Sequence, residues 1–174
     1  MRALLCSIGV VKLEDRIGFI GAGNMGSALI KGILKSGRYN PENVYIFDTD
    51  SDKQESLCNE TGASKASSTA AIVDTCRIIV LAVKPNMVKD ALRGTKDDFT
   101  ADKLLVSIAA GISIKTLSDI VGSTAKIIRT MPNTPALVGE GMTIISPSAN
   151  VSEKEILEIE ELFECVGRTE QLPE

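Results

Sequence analysis

The chain has 174 residues, of which 44% are hydrophobic and 24% are charged; this is the composition of one globular domain and excludes a disordered chain. Its net charge of −4 at pH 7 and its 3% of aromatic residues exclude a basic, aromatic-lined surface for nucleic acid. The four cysteines lack CxxC spacing and the chain has no histidine, so we expect reduced thiols, a cytoplasmic location and no metal site.

We expect two regions in the chain. Residues 1–15 are predicted to be an N-terminal extension, and residues 16–174 are predicted to form the folded domain. Residues 1–11 are mildly apolar, but this stretch is too short and too interrupted to span a membrane, and it makes a weak export signal. We therefore expect no membrane partner.

Short apolar runs alternate with stretches of helical periodicity along the rest of the chain. The predicted strands are 16–20, 43–47, 63–65, 77–83, 103–109, 126–130, 142–146 and 166–170. The predicted helices are 25–36, 51–60, 67–73, 86–92, 113–120 and 152–165, and a rigid turn is predicted at 131–135. This repeated β-α-β pattern with short connections predicts an α/β fold with a doubly wound, mostly parallel sheet of the Rossmann type.

A glycine-rich segment follows the first predicted strand and opens the first predicted helix. It reads Gly21-Ala22-Gly23-Asn24-Met25-Gly26, and a GxGxxG pattern in this position is typical of dinucleotide-binding folds. Gly21 permits a tight turn, Gly23 lets a diphosphate approach the backbone, and Gly26 lets the helix pack closely against the strand. Free N–H groups at the start of the helix bind phosphate, so the segment predicts a site for NAD or NADP.

Asp48 follows the second predicted strand, 22 residues after Gly26. A carboxylate at this position accepts hydrogen bonds from the adenine ribose hydroxyls and repels a 2′-phosphate, which favours NAD over NADP. Two alternatives stay open. Asp48 can simply be a helix-entry residue beside Asp50 and Ser51, and Lys53 is close enough in sequence to offer a partner for a 2′-phosphate.

Three further predicted strands end in short motifs. These motifs are Lys84-Pro85, Ala109-Ala110-Gly111 and Met131-Pro132-Asn133-Thr134-Pro135. The carboxyl ends of parallel strands share one edge of the sheet, which is where open α/β sheets bind their ligands. Two prolines hold Asn133 and Thr134, which predicts rigid polar groups facing the nicotinamide or the substrate. A simple stiff turn is the alternative interpretation.

Four segments together carry a resemblance to one enzyme family. They are IGFIGAGNMG at 17–26, AVKP at 82–85, SIAAG at 107–111 and IIRTMPNTPALVGEG at 127–141. The chain closely resembles the pyrroline-5-carboxylate reductases over residues 16–174, and the MPNTPALVGEG stretch is the most specific part. The resemblance implies reduction of the cyclic imine 1-pyrroline-5-carboxylate to L-proline, the last step of proline biosynthesis, with NADH or with NADPH, the family's common cofactor.

The resemblance also implies the residues of the site. Asn133, Thr134 and Lys84 would face the nicotinamide and the substrate, and no catalytic residue is assigned. The implied cofactor-binding residues are Gly21, Ala22, Gly23, Asn24, Met25, Gly26, Asp48, Thr69, Ala82, Val83, Lys84, Pro85, Ala109, Ala110 and Gly111. An imine is electrophilic once its nitrogen is protonated, so a chain without histidine fits this chemistry.

Members of this family carry a second, all-helical domain that forms the homo-oligomer and supplies most contacts to the substrate. The resemblance does not extend to such a domain here, so we expect this chain to bind the dinucleotide and to catalyse poorly by itself. Two other functions stay open. One is another imine or hydroxyacid dehydrogenase of the same superfamily, and the other is a non-catalytic dinucleotide-sensing module.

Overall fold

A computed structural model describes residues 16–174, so the predicted extension at 1–15 lies outside the described residues. The strands are β1 (Ile17–Ile20), β2 (Val44–Phe47), β3 (Ser64–Lys65), β4 (Ile78–Leu81), β5 (Leu104–Ser107), β6 (Lys126–Pro132), β7 (Gly141–Pro147) and β8 (Gly167–Gln171). The α-helices are α1 (Asn24–Lys35), α2 (Ser51–Thr61), α3 (Thr69–Thr75), α4 (Val88–Ala91), α5 (Ile114–Val121) and α6 (Glu153–Phe163). No helix within residues 16–174 is long and apolar enough to cross a membrane.

All eight strands form one sheet in the order β3-β2-β1-β4-β5-β6-β7-β8. Strands β1 to β6 run parallel to one another, β7 pairs antiparallel with β6, and β8 pairs parallel with β7. The predicted doubly wound, mostly parallel sheet is therefore confirmed. Because β1 lies between β2 and β4, the chain leaves β1 at the point where the strand order reverses, and ligands bind at such a point in open α/β sheets.

Both faces of the sheet are covered, which explains why its central strands are apolar without interruption. In β4, Ile78 and Val80 join a core that includes Leu29 of α1 and Phe163 of α6. The alternate residues Ile79 and Leu81 join a second core on the opposite face, with helices α3, α4 and α5. Successive side chains on a strand point to opposite faces, so helices pack on each side and fix the strand ends at one edge.

The segment predicted as a rigid turn at 131–135 is partly strand. Met131 and Pro132 continue β6 and pair with Ile144 and Thr143 of β7, and the chain turns in a 3-10 helix at Thr134–Val138. The prediction of a turn is wrong for the first two residues, because proline does not end this strand. Pairing with β5 stops at Arg129, so Pro132, which lacks an N–H, lies where no hydrogen bond to β5 is required.

The predicted helix at 86–92 is also shorter and less regular than expected. It begins as a 3-10 turn at Pro85–Met87 and continues as the single α-turn of α4. Proline at the first position favours the start of a helix, and the segment then ends near Gly94, which adopts φ +79. This short connection brings Lys84 and Met87 to the edge of the sheet beside the glycine-rich segment.

Candidate dinucleotide-binding site

The glycine-rich segment makes a tight turn between β1 and α1. Gly21 adopts φ +109, and a Cβ added there would lie 2.5 Å from the carbonyl oxygen of Ala82, so only glycine fits. The N–H of Gly21 donates to the carbonyl oxygen of Phe47 at 2.8 Å. A Cβ on Gly26 would lie 2.5 Å from the carbonyl oxygen of Gly21. These two glycines allow α1 to start directly against the ends of β1 and β4.

The start of α1 has no side chain over its N–H groups. Gly23 is its N-cap, makes no side-chain cap hydrogen bond, and has no acidic residue after it in the first turn. By contrast, α2, α3, α5 and α6 are capped by Asp50, Ser68, Ser113 and Ser152. A Cβ on Gly23 would meet nothing within 4 Å. The backbone at α1 is thus open to a ligand, and its dipole favours an anion.

Asp48 links the end of β2 to the glycine-rich segment. Its Oδ2 accepts the N–H of Ala22 at 2.6 Å, and its Oδ1 accepts the N–H of Asp50 at 2.8 Å. An ionised carboxylate offers about four lone-pair positions, so lone pairs remain for a ribose hydroxyl. That Asp48 binds the ribose of the adenosine half therefore remains a prediction. The structure adds that Asp48 also holds the backbone of the glycine-rich segment.

Two clefts meet at the glycine-rich segment. The first cleft has a volume of about 930 Å³, and the second has about 630 Å³. The first is lined by Ala22, Gly23, Asn24, Met25, Ser27, Lys31, Asp52, Lys53, Ser56, Leu57, Glu60, Ala82, Val83, Lys84, Pro85, Ile108, Ala110 and Pro132. The second is lined by Ile20, Gly21, Gly23, Phe47, Asp48, Thr49, Asp50, Lys53, Ser68, Thr69, Ala70, Ala82, Val83, Lys84, Met87, Asp90, Ala91 and Arg93.

Most cations that line the clefts already have a carboxylate partner. Lys31 pairs with Glu60 at 2.7 Å and Lys53 pairs with Asp50 at 2.9 Å. Arg93 pairs with Asp90. The fourth cation, Lys84, lines both clefts and forms no ion pair with any residue from 16 to 174. It is therefore the cation most available to an anionic ligand.

The structure brings together most of the residues predicted for the site. In the first cleft lie Ala22, Gly23, Asn24, Met25, Ala82, Val83, Lys84, Pro85 and Ala110, and in the second lie Gly21, Asp48 and Thr69. Gly26, Ala109, Gly111, Asn133 and Thr134 line neither cleft. The Asn133 side chain instead accepts the N–H of Met142 at 2.9 Å, which ties the end of β6 to the start of β7, while the preceding Pro132 does line the first cleft.

Several cleft residues were not predicted from the sequence. Ser27 and Lys31 lie in the first cleft, four and eight residues after Gly23 on α1, and helical periodicity places these three on one face. That signal was sufficient to find them. Met87 and Arg93 lie in an irregular segment of the second cleft, where no periodic pattern identifies the residues that face a ligand.

Comparison with known proteins agrees with this geometry. A family model described as "NADP oxidoreductase coenzyme F420-dependent" matches residues 16–111, more than half of the chain. Among solved structures, a pyrroline-5-carboxylate reductase from Coxiella burnetii has a TM-score of 0.88 and 26% identity, covering 92% of this chain and 60% of that one. Plasmodium falciparum pyrroline carboxylate reductase with NADP bound has a TM-score of 0.81 and 34% identity, covering 91% of this chain and 58% of that one.

Curated sequences give the same result. The chain is 38% identical to the pyrroline-5-carboxylate reductase of Escherichia coli over 93% of its own length and 60% of that protein. It is 37% identical to the enzyme of the same name from Methanosarcina acetivorans, over 92% of its length and 60% of that protein. The chain thus spans about three fifths of the length of these relatives, and the resemblance inferred from its motifs is confirmed. Because the family model matches more than half of the chain, including the glycine-rich segment, the chain belongs to the family of NADP oxidoreductases described as coenzyme F420-dependent.

Proposed function

We propose that this chain is the dinucleotide-binding portion of an enzyme that reduces 1-pyrroline-5-carboxylate to L-proline with NAD(P)H. The observation that carries the proposal is the composition of the first cleft. It joins Gly23 of the glycine-rich segment with Pro132 of the MPNTP motif, so the general dinucleotide signature and the most family-specific segment line one space. The proposed substrate is a small cyclic imino acid, because the relatives in Escherichia coli and Methanosarcina acetivorans are pyrroline-5-carboxylate reductases.

A dinucleotide fits the two clefts. The open space at Gly23 and the uncapped start of α1 suit a diphosphate at the junction of the clefts. The adenosine half then lies in the second cleft beside Asp48 and Thr69, and the nicotinamide half lies in the first cleft beside Lys84, Pro85 and Ala110. We also propose that Asn133 and Thr134 lie near the nicotinamide, and this part of the proposal is supported only by their motif. Gly26, Ala109 and Gly111 shape the backbone around the site.

The residues of this chain bind and orient the reacting groups. When bound, the reduced nicotinamide supplies a hydride. Lys84 attracts the anionic groups of the dinucleotide into the clefts, and Pro132 and Ala110 line the first cleft beside it. Once the imine nitrogen is protonated, its carbon accepts a hydride without a further acid. The protein therefore contributes mainly position and electrostatics.

The relatives are longer than the part that this chain matches. We propose that the remainder of their length supplies further contacts to the substrate and the homo-oligomer interface. This chain alone is then expected to bind the dinucleotide and to turn over slowly or not at all. A cytoplasmic location is proposed on the resemblance.

Direct titration with NADH and with NADPH tests the proposal, followed by an assay with 1-pyrroline-5-carboxylate. The chain contains no tryptophan, so the signal is the fluorescence of the nucleotide itself. Saturable binding of at least one dinucleotide, abolished in Gly23→Val, is the expected result. The absence of binding of both would refute the dinucleotide site. Rapid turnover of a hydroxyacid substrate, with none of the imine, would refute the assigned reaction.

A further inference from the structure

The family description names NADP, whereas the end of β2 carries features that oppose a 2′-phosphate. In Rossmann-type sites the adenine ribose lies beside the residue that follows β2, and a 2′-phosphate there requires a nearby cation such as arginine. In this chain the position is Asp48. The phosphate would bring a charge of about −1.5 to −2 next to a carboxylate that is held in place by the N–H groups of Ala22 and Asp50.

Helix α2 begins three residues after Asp48, and an acidic side chain already accepts one of its first N–H groups. Asp50 is the N-cap of α2, and its Oδ1 accepts the N–H of Lys53 at 3.1 Å. Asp52, in the first turn of α2, adds another carboxylate. A helix start that carries its own anion repels a second one, unlike the start of α1.

Lys53, a cation of the second cleft, is also engaged. The ammonium of Lys53 lies 2.9 Å from Oδ2 of Asp50. Their hydrogen bond raises the pKa of Lys53 and lowers the pKa of Asp50, so it favours the charged form of both groups. Arg93, another cation of the second cleft, pairs with Asp90. Lys84 forms no ion pair with any residue from 16 to 174, but it also lines the first cleft, towards the nicotinamide half.

We propose that this chain selects NAD(H) against NADP(H), a proposal that rests on the proposed function. The hydrogen-bonded group formed by Asp48, Asp50 and Lys53 sets this selection. Asp48 accepts ribose hydroxyls with its remaining lone pairs while it holds the glycine-rich segment. Asp50 closes the start of α2 and neutralises Lys53, the residue that would otherwise bind a 2′-phosphate. From the sequence alone, Lys53 is a candidate phosphate partner, and in the structure Asp50 competes with a phosphate for its ammonium.

Equilibrium binding of the 174-residue chain tests this selection without any need for turnover. NADH and NADPH are titrated separately, and 5′-AMP and adenosine 2′,5′-bisphosphate are then used as competitors that differ only in the 2′-phosphate. NADH is expected to bind about tenfold or more tightly than NADPH, and 5′-AMP is expected to compete better than the bisphosphate. Neither fragment contains nicotinamide, so their comparison reports on the adenosine half of the site.

Asp50→Ser is the decisive variant, because serine preserves the N-cap of α2 while it removes the charge and releases Lys53. The ratio of the NADPH to the NADH dissociation constant should fall by about tenfold. Most of that change should disappear when Lys53→Met is added. Asp119→Ser is the matched control. It also removes a carboxylate from a helical ion pair, with Lys115 at 2.8 Å, but lies outside both clefts, so the ratio should not move.

The outcomes separate the two proposals. NADPH binding as tightly as NADH to the unaltered chain, or a ratio unchanged by Asp50→Ser, would overturn the selection and leave the proposed function intact. Binding of neither dinucleotide would overturn the proposed function and the selection with it. Tighter NADH binding together with the Lys53-dependent gain in Asp50→Ser would support both.

Discussion

The carboxylate of Asp48 accepts the N–H of Ala22 at 2.6 Å, so a side chain at the end of β2 holds the backbone of the turn that follows β1. The two residues are 26 positions apart in sequence. The same carboxylate also accepts the N–H of Asp50 at the entry to α2. One side chain therefore fixes both backbone segments that surround the proposed ribose position, and binding geometry and local stability depend on the same group.

Asp48→Ala should weaken NADH binding and destabilise the chain. Removing the carboxylate leaves the partly buried N–H of Ala22 without its acceptor, at a cost of about 1–3 kcal/mol. We expect the dissociation constant for NADH to rise by about tenfold or more and the free energy of unfolding in urea to fall. Asp48→Asn should recover only part of the stability, because its single amide oxygen can accept the N–H of Ala22 but the N–H of Asp50 then loses its acceptor. Equal stability of the alanine variant and the unaltered chain would contradict this role.

Gly23 and Gly26 should respond differently to the same substitution. A Cβ on Gly23 meets nothing within 4 Å, whereas a Cβ on Gly26 would lie 2.5 Å from the carbonyl oxygen of Gly21. Gly23→Ala should keep the free energy of unfolding within about 1 kcal/mol and lose dinucleotide binding, because the methyl group projects towards the diphosphate position. Gly26→Ala should lose stability first, by about 1–3 kcal/mol. Thermal unfolding and nucleotide titration on both variants separate the effects, and a Gly23→Ala variant that binds normally would contradict the assigned diphosphate position.

The sheet and its glycine-rich turn were predictable because their signals are local. The run from Ile78 to Leu81 is apolar at every position, as expected of a strand covered on both faces. Gly21, Gly23 and Gly26 have the spacing that a strand–turn–helix unit needs. These patterns depend on a few neighbouring residues, so the amino-acid sequence by itself assigns the glycine-rich motif to the correct edge of the sheet.

Contacts between distant segments were not predictable in the same way. The hydrogen bond from Ala22 to Asp48 joins two strand ends, and the one from Met142 to Asn133 depends on β7 running antiparallel to β6. Nothing in the apolar pattern of 142–146 gives the direction of that strand. Asn133 is predicted to face the nicotinamide because its motif is rigid and polar, and its engagement with Met142 follows only from the antiparallel pairing.

Glu155 should make the stability of the chain depend on pH in the acidic range. Burial alone would raise the pKa of Glu155, but hydrogen bonds from Lys126 and Ser152 outweigh burial and lower its pKa to about 2. A carboxylate whose pKa is lower in the folded state than in the unfolded state stabilises the folded state. This contribution is complete at pH values above the unfolded pKa of about 4.3, and it is lost as the pH falls from about 5 to about 2. The unfolding free energy should therefore decrease across that window.

Glu155→Gln tests the assignment, because glutamine keeps the shape of the side chain and removes its charge. The capping box with Ser152 and the 2.7 Å contact from Lys126 to Glu155 lead us to expect a loss of about 1–2 kcal/mol at pH 7. The difference from the unaltered chain should shrink as the pH falls from about 5 and vanish only below about pH 2. Glu153→Gln, in the same turn but without an ion pair to a described residue, should lose less. Equal losses for the two variants would contradict the prediction.

Lys84 should contribute to dinucleotide binding through charge. It lines both clefts, is exposed, and forms no ion pair with any residue from 16 to 174, so no internal carboxylate competes for its ammonium. Lys84→Met should raise the dissociation constant for NADH by about fivefold at low salt. Salt screens the attraction between exposed charges, with a Debye length of about 10 Å at 0.1 M ionic strength. The effect of Lys84→Met should therefore shrink as salt is added.

Lys89→Met is the matched control for Lys84→Met, since Lys89 lies on α4 five residues further along and lines neither cleft. Both substitutions remove one exposed positive charge, so any general effect of net charge on nucleotide attraction appears equally in both. Titrations with NADH at two salt concentrations distinguish a local from a general effect. A loss confined to Lys84→Met and reduced by salt places its ammonium at the dinucleotide. Equal losses in the two variants would mean that the overall charge of the chain, rather than a contact in the clefts, governs its affinity.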